Sequence, residues 1–212
     1  MTTETTLRES IVRYGKSMFE RGLTFGSSGN ISARLENGWL MTPTNVALNR
    51  LDPARLARLD DNGKLLSGDA PTKEAFLHIA MYRERPGSGA VVHLHSTHSV
   101  AVSCLANVNP DDVLPPVTAY YVMRVGCLPL VPFHPPGDPA LAGAVAKLAG
   151  KHHAMLLANH GPVVAGSSLD AAVNAIEELE ETAKLYLLLR QEKTRWLTPD
   201  QVADVRNRYP PG

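Results

Sequence analysis

A chain of 212 residues with 44% hydrophobic and 20% charged residues has the composition of an ordinary globular protein, long enough for one sizeable core without demanding a second. Its 21 Lys and Arg balance 21 Asp and Glu, which removes the electrostatic footprint of a nucleic-acid or membrane-surface binder. Cys104 and Cys127 form no CxxC pair, MTTETTLRES has no apolar signal region, and no apolar run reaches membrane-spanning length. Residues 1–212 therefore read as a single cytoplasmic domain in a reducing compartment.

LRESIVRYGKSMFERG places Leu7, Ile11, Tyr14 and Met18 at i, i+4, i+7 and i+11, an amphipathic helix stopped near Gly22. A Gly/Ser turn then leads into a strand on which Ile31, Ala33 and Leu35 alternate, and GWLMTPTN reads as a second strand ending in a turn. Asp69 and Thr72 are cap candidates for a helix over roughly residues 73–85, which Pro86-Gly87 ends. GAVVHLHS is a strand, whereas the proline-interrupted GCLPLVPF suits a sheet edge. Asp138 caps a helix with Pro139 at its first position, running to Gly150. AMLLANHG and PVVAG read as a buried strand, a turn and a return strand. Ser167-x-x-Asp170 opens a long helix with capping-box-like spacing, and Thr198, Pro199 and Gln201 repeat the device near the C-terminus. Strands joined partly by turns and partly by helices give an α/β or α+β class with a mixed or antiparallel sheet. No GxGxxG or GKS/GKT run points to a dinucleotide or P-loop site.

Three of the eight histidines fall in AVVHLHSTHSV. On an extended strand His93 and His95 share a face, with Val92 and Leu94 on the other, so both imidazoles can reach one ion at about 2.0–2.1 Å. An isolated HxH is also a common half-exposed polar face. His98 lies an odd number of residues from both and points elsewhere if the strand continues. His160 ends an apolar strand in LLANHGPVV, where a loop histidine can supply a third ligand. Glu74 opens the helix that leads into the His93 strand, placing a base or fourth ligand within reach; a carboxylate that only complements the helix dipole is the plainer alternative. His78, four residues after Glu74, reads as a helix-surface partner, His152 and His153 as solvated, and His134 as ambiguous.

Two turns and a helix start offer anion-binding groups. GSSGN at residues 26–30 and TPTN at 42–45 carry hydroxyls, amides and free backbone N–H groups, and Thr72-Lys73 adds a helix N-terminus and a cation. Each alone reads as a plain turn; beside a histidine cluster, the three together suit a small phosphorylated substrate.

In sequence, GSSGNISARL, LMTPTN, PTKEAFLHIAMYRERP, AVVHLHSTHSVA and LLANHGPVVAG resemble the class II aldolase/adducin head family over roughly residues 7–190. The resemblance implies an α/β fold of three layers, with a mostly antiparallel central sheet flanked by helices, in a homotetramer with interfacial active sites. It implies one Zn2+ per subunit, or another divalent metal, held by His93, His95 and His160. Glu74 matches the catalytic acid/base, which also touches the metal when no substrate is bound. Ser27, Gly29, Asn30, Thr44 and Thr72 match positions that grip the substrate phosphate, with Asn45 and Lys73 beside them; His98 matches no ligand. The chain departs from the sugar-phosphate aldolases at Thr72-Lys73, where they carry Ser-Ser, and at Asn45, where they carry Gly. TAYYVMRVG and FHPPGDPAL resemble instead the branch that decarboxylates 3-oxo-tetronate 4-phosphates, with Tyr120, or Tyr121 beside it, as the proton donor from a neighbouring subunit.

The implied reaction is loss of CO2 from a phosphorylated acid sugar through a metal-stabilised enediolate, yielding dihydroxyacetone phosphate. A class II sugar-phosphate aldolase of the fuculose-phosphate type is the alternative within the family. A non-catalytic adducin-like interaction module and a zinc hydrolase on the same ligands are the alternatives outside that chemistry.

Overall fold

A computed structural model describes residues 3–135 and 137–209; Pro136 of the FHPPGDPAL loop lies outside them. Helix α1 (Glu4–Glu20) starts at Thr3, whose hydroxyl accepts from the Thr6 N–H. A hairpin follows, β1 (Asn30–Leu35) and β2 (Gly38–Met41), then two short strands, β3 (Ala57–Leu59) and β4 (Leu65–Ser67). Helix α2 (Ala75–Glu84) leads into β5 (Ala90–His93), followed by α3 (Thr97–Ser103), α4 (Ala119–Arg124) and the two-residue β6 (Leu130–Val131). The chain closes with α5 (Ala140–Ala149), β7 (Ala154–Leu157), β8 (Gly161–Gly166), α6 (Leu169–Leu189) and α7 (Pro199–Arg208). Among the described residues no helix is long and apolar enough to cross a membrane.

The strands form one eight-stranded sheet in the order β4-β3-β2-β1-β5-β8-β7-β6. Every pairing is antiparallel except β6 with β7. Apolar side chains fill both faces. Ile31, Leu40, Val92, Leu156 and Val164 pack with residues of α1, α3, α4 and α6. Trp39, Met41, Val91, Met155 and Val163 pack with residues of α2 and α5. The result is the three-layer, mostly antiparallel arrangement expected from the sequence. Each buried Leu, Ile or Val contributes about 1.5–3 kcal/mol relative to an exposed one.

Several local expectations change because helices cover both sheet faces. Asn30 and Ser32, opposite the apolar face of β1, are buried against α2. His78 is 0% exposed, not a surface partner of Glu74, because α2 is sandwiched between the sheet and α5. His153 is also buried, its Nε2 on the Arg124 carbonyl at 2.9 Å. The long helix is capped by Ser168, not Ser167, through a bond from the Ala171 N–H. Thr198 and Gln201 form the reciprocal capping box, and β6 occupies a sheet edge.

Candidate metal centre and active site

β1 and β5 pair so that Asn30 stands opposite His93, and β5 and β8 pair His93 with Val163. The strand ends at His93, so His95 lies just beyond it. The Leu94 N–H still donates to the Pro162 carbonyl at 3.2 Å, which keeps the two segments in register past the strand end. His160 sits in the turn between β7 and β8, where Asn159 is left-handed at φ 55°. There Gly161 has φ 154°, and a Cβ built on it would lie 2.3 Å from the Leu94 carbonyl oxygen. Only glycine lets the turn carrying His160 approach the segment carrying His93 and His95 this closely. Glu74 stands at the N-cap of α2, one residue outside the helix, but its side chain caps no helix N–H. It is turned toward the histidines instead.

One ligand atom from each of Glu74, His93, His95 and His160 lies within 4.8 Å of the others. His93 Nε2 is 3.1 Å from His95 Nε2 and 3.4 Å from Glu74 Oε2, and His160 Nε2 is 3.1 Å from Glu74 Oε1. The three rings meet edge to face with centroids 4.8–4.9 Å apart. His93 Nδ1 is 2.8 Å from the Pro162 carbonyl, which can only accept, so Nδ1 carries the proton and Nε2 presents a lone pair to the cluster. Burial lowers the pKa of His93, and burial with the neighbouring histidines lowers that of His95 to about 4, so both rings are neutral at neutral pH. Burial alone would raise the Glu74 carboxyl. The adjacent His93 ring and hydrogen bonds from His160 and Asn30 outweigh it and hold the group well below the usual carboxylate range.

This donor set fits a divalent cation. Neutral imidazole lone pairs and one carboxylate are the ligands of catalytic zinc. With bonds of about 2.0–2.1 Å, the edge of a tetrahedron of ligands is about 3.3 Å, close to the separations seen here.

Beside the cluster lies a cavity of about 290 Å3. Ser27, Gly29, Asn30, Thr44, Asn45, Thr72 and Lys73 all line it, together with Glu74, His95 and His160. The turns meet because the Thr44 N–H donates to Ala70 O and the Thr72 N–H to Thr42 O, each at 3.0 Å, across a bridge between Pro43 and Pro71. Lys73 is the one Lys or Arg among the described lining residues, and the N-terminus of α2 adds its dipole.

Residues 9–187 match the family model for the class II aldolase and adducin N-terminal domain. The chain belongs to this family. This class II aldolase-family chain is 53% identical to a 3-oxo-tetronate 4-phosphate decarboxylase of Cupriavidus necator over 90% of its own length and 88% of the relative's. It is 49% identical to a protein of the same name from Escherichia coli, covering 96% of this chain and 97% of that one. The crystal structure of YgbL from Escherichia coli, described as a putative aldolase/epimerase/decarboxylase, superposes with a TM-score of 0.94 at 48% identity, over 96% of this chain and 99% of that one.

Three other residues singled out in this family member's sequence lie away from the cluster. Tyr120 is 59% exposed and lines a different cavity with Arg21, Arg124 and Glu177. Tyr121 points inward, is 1% exposed, and donates to the Leu114 carbonyl. His98 belongs to α3, where its Nδ1 and N–H both meet the buried Glu180 carboxylate. The motifs do not reveal the polar contacts beneath Glu74: Asn30 Nδ2 donates to Glu74 Oε2 at 2.8 Å, and the Asn30 oxygen meets His78. Their trace in the sequence is the i, i+4 spacing of Glu74 and His78, together with Asn30 and Ser32 alternating with Ile31 and Ala33 on β1.

Proposed function

We propose that this chain is a divalent-metal-dependent carboxy-lyase that converts a 3-oxo-tetronate 4-phosphate to dihydroxyacetone phosphate and CO2. The observation that carries the reading is the His93–His95–His160–Glu74 cluster at the edge of a small cavity lined by hydroxyls, amides and Lys73. Full-length relatives at about half identity that bear the decarboxylase name support the choice of substrate class.

His93, His95 and His160 would hold the ion, zinc by preference for this ligand set, with Glu74 as a fourth ligand when no substrate is present. When bound, a divalent ion supplies Lewis-acid stabilisation of negative charge on the substrate's ketone side. The chain's residues do the rest. The turns bearing Ser27, Gly29, Thr44, Asn45 and Thr72, with Lys73, bind the phosphate and orient the carboxylate at the opposite end. The C1–C2 bond breaks, CO2 leaves, and the electron pair is delocalised toward the C3 oxygen. Its return to C2 takes up one proton. Glu74, ionised at rest beside Asn30 and His160, relays that proton. Tyr120, exposed and remote from its own cluster, acts as a donor across a subunit boundary in a homotetramer with interfacial sites. The enzyme works in the cytoplasm.

The test is to incubate the metal-loaded protein with 3-oxo-tetronate 4-phosphates and with sugar 1-phosphates, scoring CO2 against aldehyde. The decarboxylase reading requires CO2 from the former at a kcat/KM at least a hundredfold above aldol cleavage. The reverse ratio makes the protein a sugar-phosphate aldolase.

A further inference from the structure

α2 and β1 interleave polar side chains beneath the cluster. Glu74 at the α2 cap, His78 and Tyr82 are spaced by four residues along one side of the helix. Asn30 and Ser32 are spaced by two along the facing side of β1. Tyr82 Oη lies 2.9 Å from Ser32 Oγ, and Ser32 Oγ lies 2.7 Å from His78 Nδ1. His78 Nε2 meets Asn30 Oδ1, and Asn30 Nδ2 donates to Glu74 Oε2 at 2.8 Å. Tyr82, Ser32, His78 and Asn30 are 1%, 0%, 0% and 5% exposed, so the run is closed to water.

Chemistry gives this run a single direction. A carboxylate only accepts, so Asn30 must turn its NH2 toward Glu74 and its oxygen toward His78. That oxygen also only accepts, so His78 carries its proton on Nε2. The ring is fully buried and its two nitrogens meet Ser32 and Asn30, neither of them a counter-ion for an imidazolium, so it is neutral and its Nδ1 is an acceptor. Ser32 therefore donates to His78, and Tyr82 donates to Ser32. The far end is anchored: Tyr82 stacks on Trp39 at 5.9 Å, and the Arg34 guanidinium lies 4.7 Å from the centre of its ring. A neutral imidazole can donate at one edge while accepting at the other. A phenyl ring in its place leaves Asn30 Oδ1 unpartnered and the amide free to flip, which would set its oxygen against the Glu74 carboxylate.

We propose that His78 is a positioning residue for Glu74: as the neutral Nε2–H tautomer it holds the Asn30 amide with its NH2 toward Glu74, and so keeps that carboxylate in one orientation at the cluster. The proposal rests on the reading of Glu74 as the acid/base and is tested in three ways on the metal-loaded enzyme. Long-range 1H–15N NMR of the wild type should show His78 neutral with the proton on Nε2; an Nδ1–H tautomer or a protonated ring overturns the proposal. His78→Phe should lower kcat ten- to a hundredfold with KM changed less than threefold, and His78→Gln, which keeps an N–H for Asn30, should recover at least fivefold of that loss. Equal losses in the two variants, the signature of a packing role alone, overturn it. In a Glu74→Gln background His78→Phe should cost less than a further twofold; an undiminished loss there means His78 acts elsewhere and overturns it. Near-normal turnover of Glu74→Gln itself removes the parent reading and this one with it. A large loss in Glu74→Gln with unchanged turnover in His78→Phe removes this proposal alone.

Discussion

Gly161→Ala isolates the contact that brings the two histidine segments together. The added Cβ would sit 2.3 Å from the Leu94 carbonyl oxygen and 3.4 Å from His95 Cα, at a backbone φ of 154° that L side chains rarely adopt. Relieving the first contact requires about 1 Å of separation between the turn bearing His160 and the segment bearing His93 and His95. Metal–ligand distances tolerate only about 0.2 Å, so His160 can no longer bind the ion held by the other two. The fold should survive, since a substitution of this kind costs about 1–3 kcal/mol against a stability of about 5–15. The expected outcome is a protein that melts cooperatively but loses metal on dialysis against a weak chelator. Turnover should fall at least about a hundredfold, as for a catalytic group misplaced by about 1 Å. Metal content by mass spectrometry, thermal melts and CO2 release read the three effects separately. Wild-type metal retention and turnover in Gly161→Ala would refute the argument that this close approach assembles the site.

Glu74→Gln should keep its metal and lose about a hundredfold or more in turnover, whereas His95→Ala should lose both; metal retention by His95→Ala would remove it from the ligand set. His78 and His95 have folded pKa values lowered by burial to about 3 and about 4 from 6.5. Because the unfolded chain binds their protons first, the metal-free protein is at full stability above about pH 6.5 and loses it as pH falls below, at up to about 1.4 kcal/mol per pH unit for each ring. Urea unfolding at pH 7.5, 6 and 5 checks the slope, and equal stabilities at all three would contradict it. The Glu180 carboxylate, 6% exposed, accepts from the N–H and Nδ1 of His98 and from the N–H and Oγ of Ser99 at 2.7–2.9 Å, tying the start of α3 to α6. Glu180→Ala should cost about 2–4 kcal/mol in denaturant unfolding, and a change below about 0.5 would show that this anchor carries little.

The four clustered groups were legible in the sequence because HxH, NHG and a helix-opening Glu are short motifs on elements with clear patterning. The sheet layers were legible for the same reason. His78 was not, because helical spacing cannot reveal that α2 is covered on both sides and that a residue four after Glu74 is its buried neighbour. The helix α3 was hidden behind an apolar strand whose natural continuation includes His98. β3 and β4, three residues each, are too short to show a period. Tyr120 and Tyr121 are adjacent in sequence, and only their opposite exposures, 59% and 1%, separate a surface group from a core one.

The fate of the substrate's first carbon separates decarboxylation from aldol cleavage most directly. A 3-oxo-tetronate 4-phosphate labelled with 13C at C1 should release one equivalent of 13CO2 per turnover with the metal-loaded enzyme, leaving an unlabelled three-carbon ketose monophosphate that gains one solvent hydrogen at C2. Removing the metal should abolish the release, and returning zinc should restore it. Retention of the label in an intact four-carbon acid, with aldehyde released from a sugar 1-phosphate under the same conditions, would contradict the account.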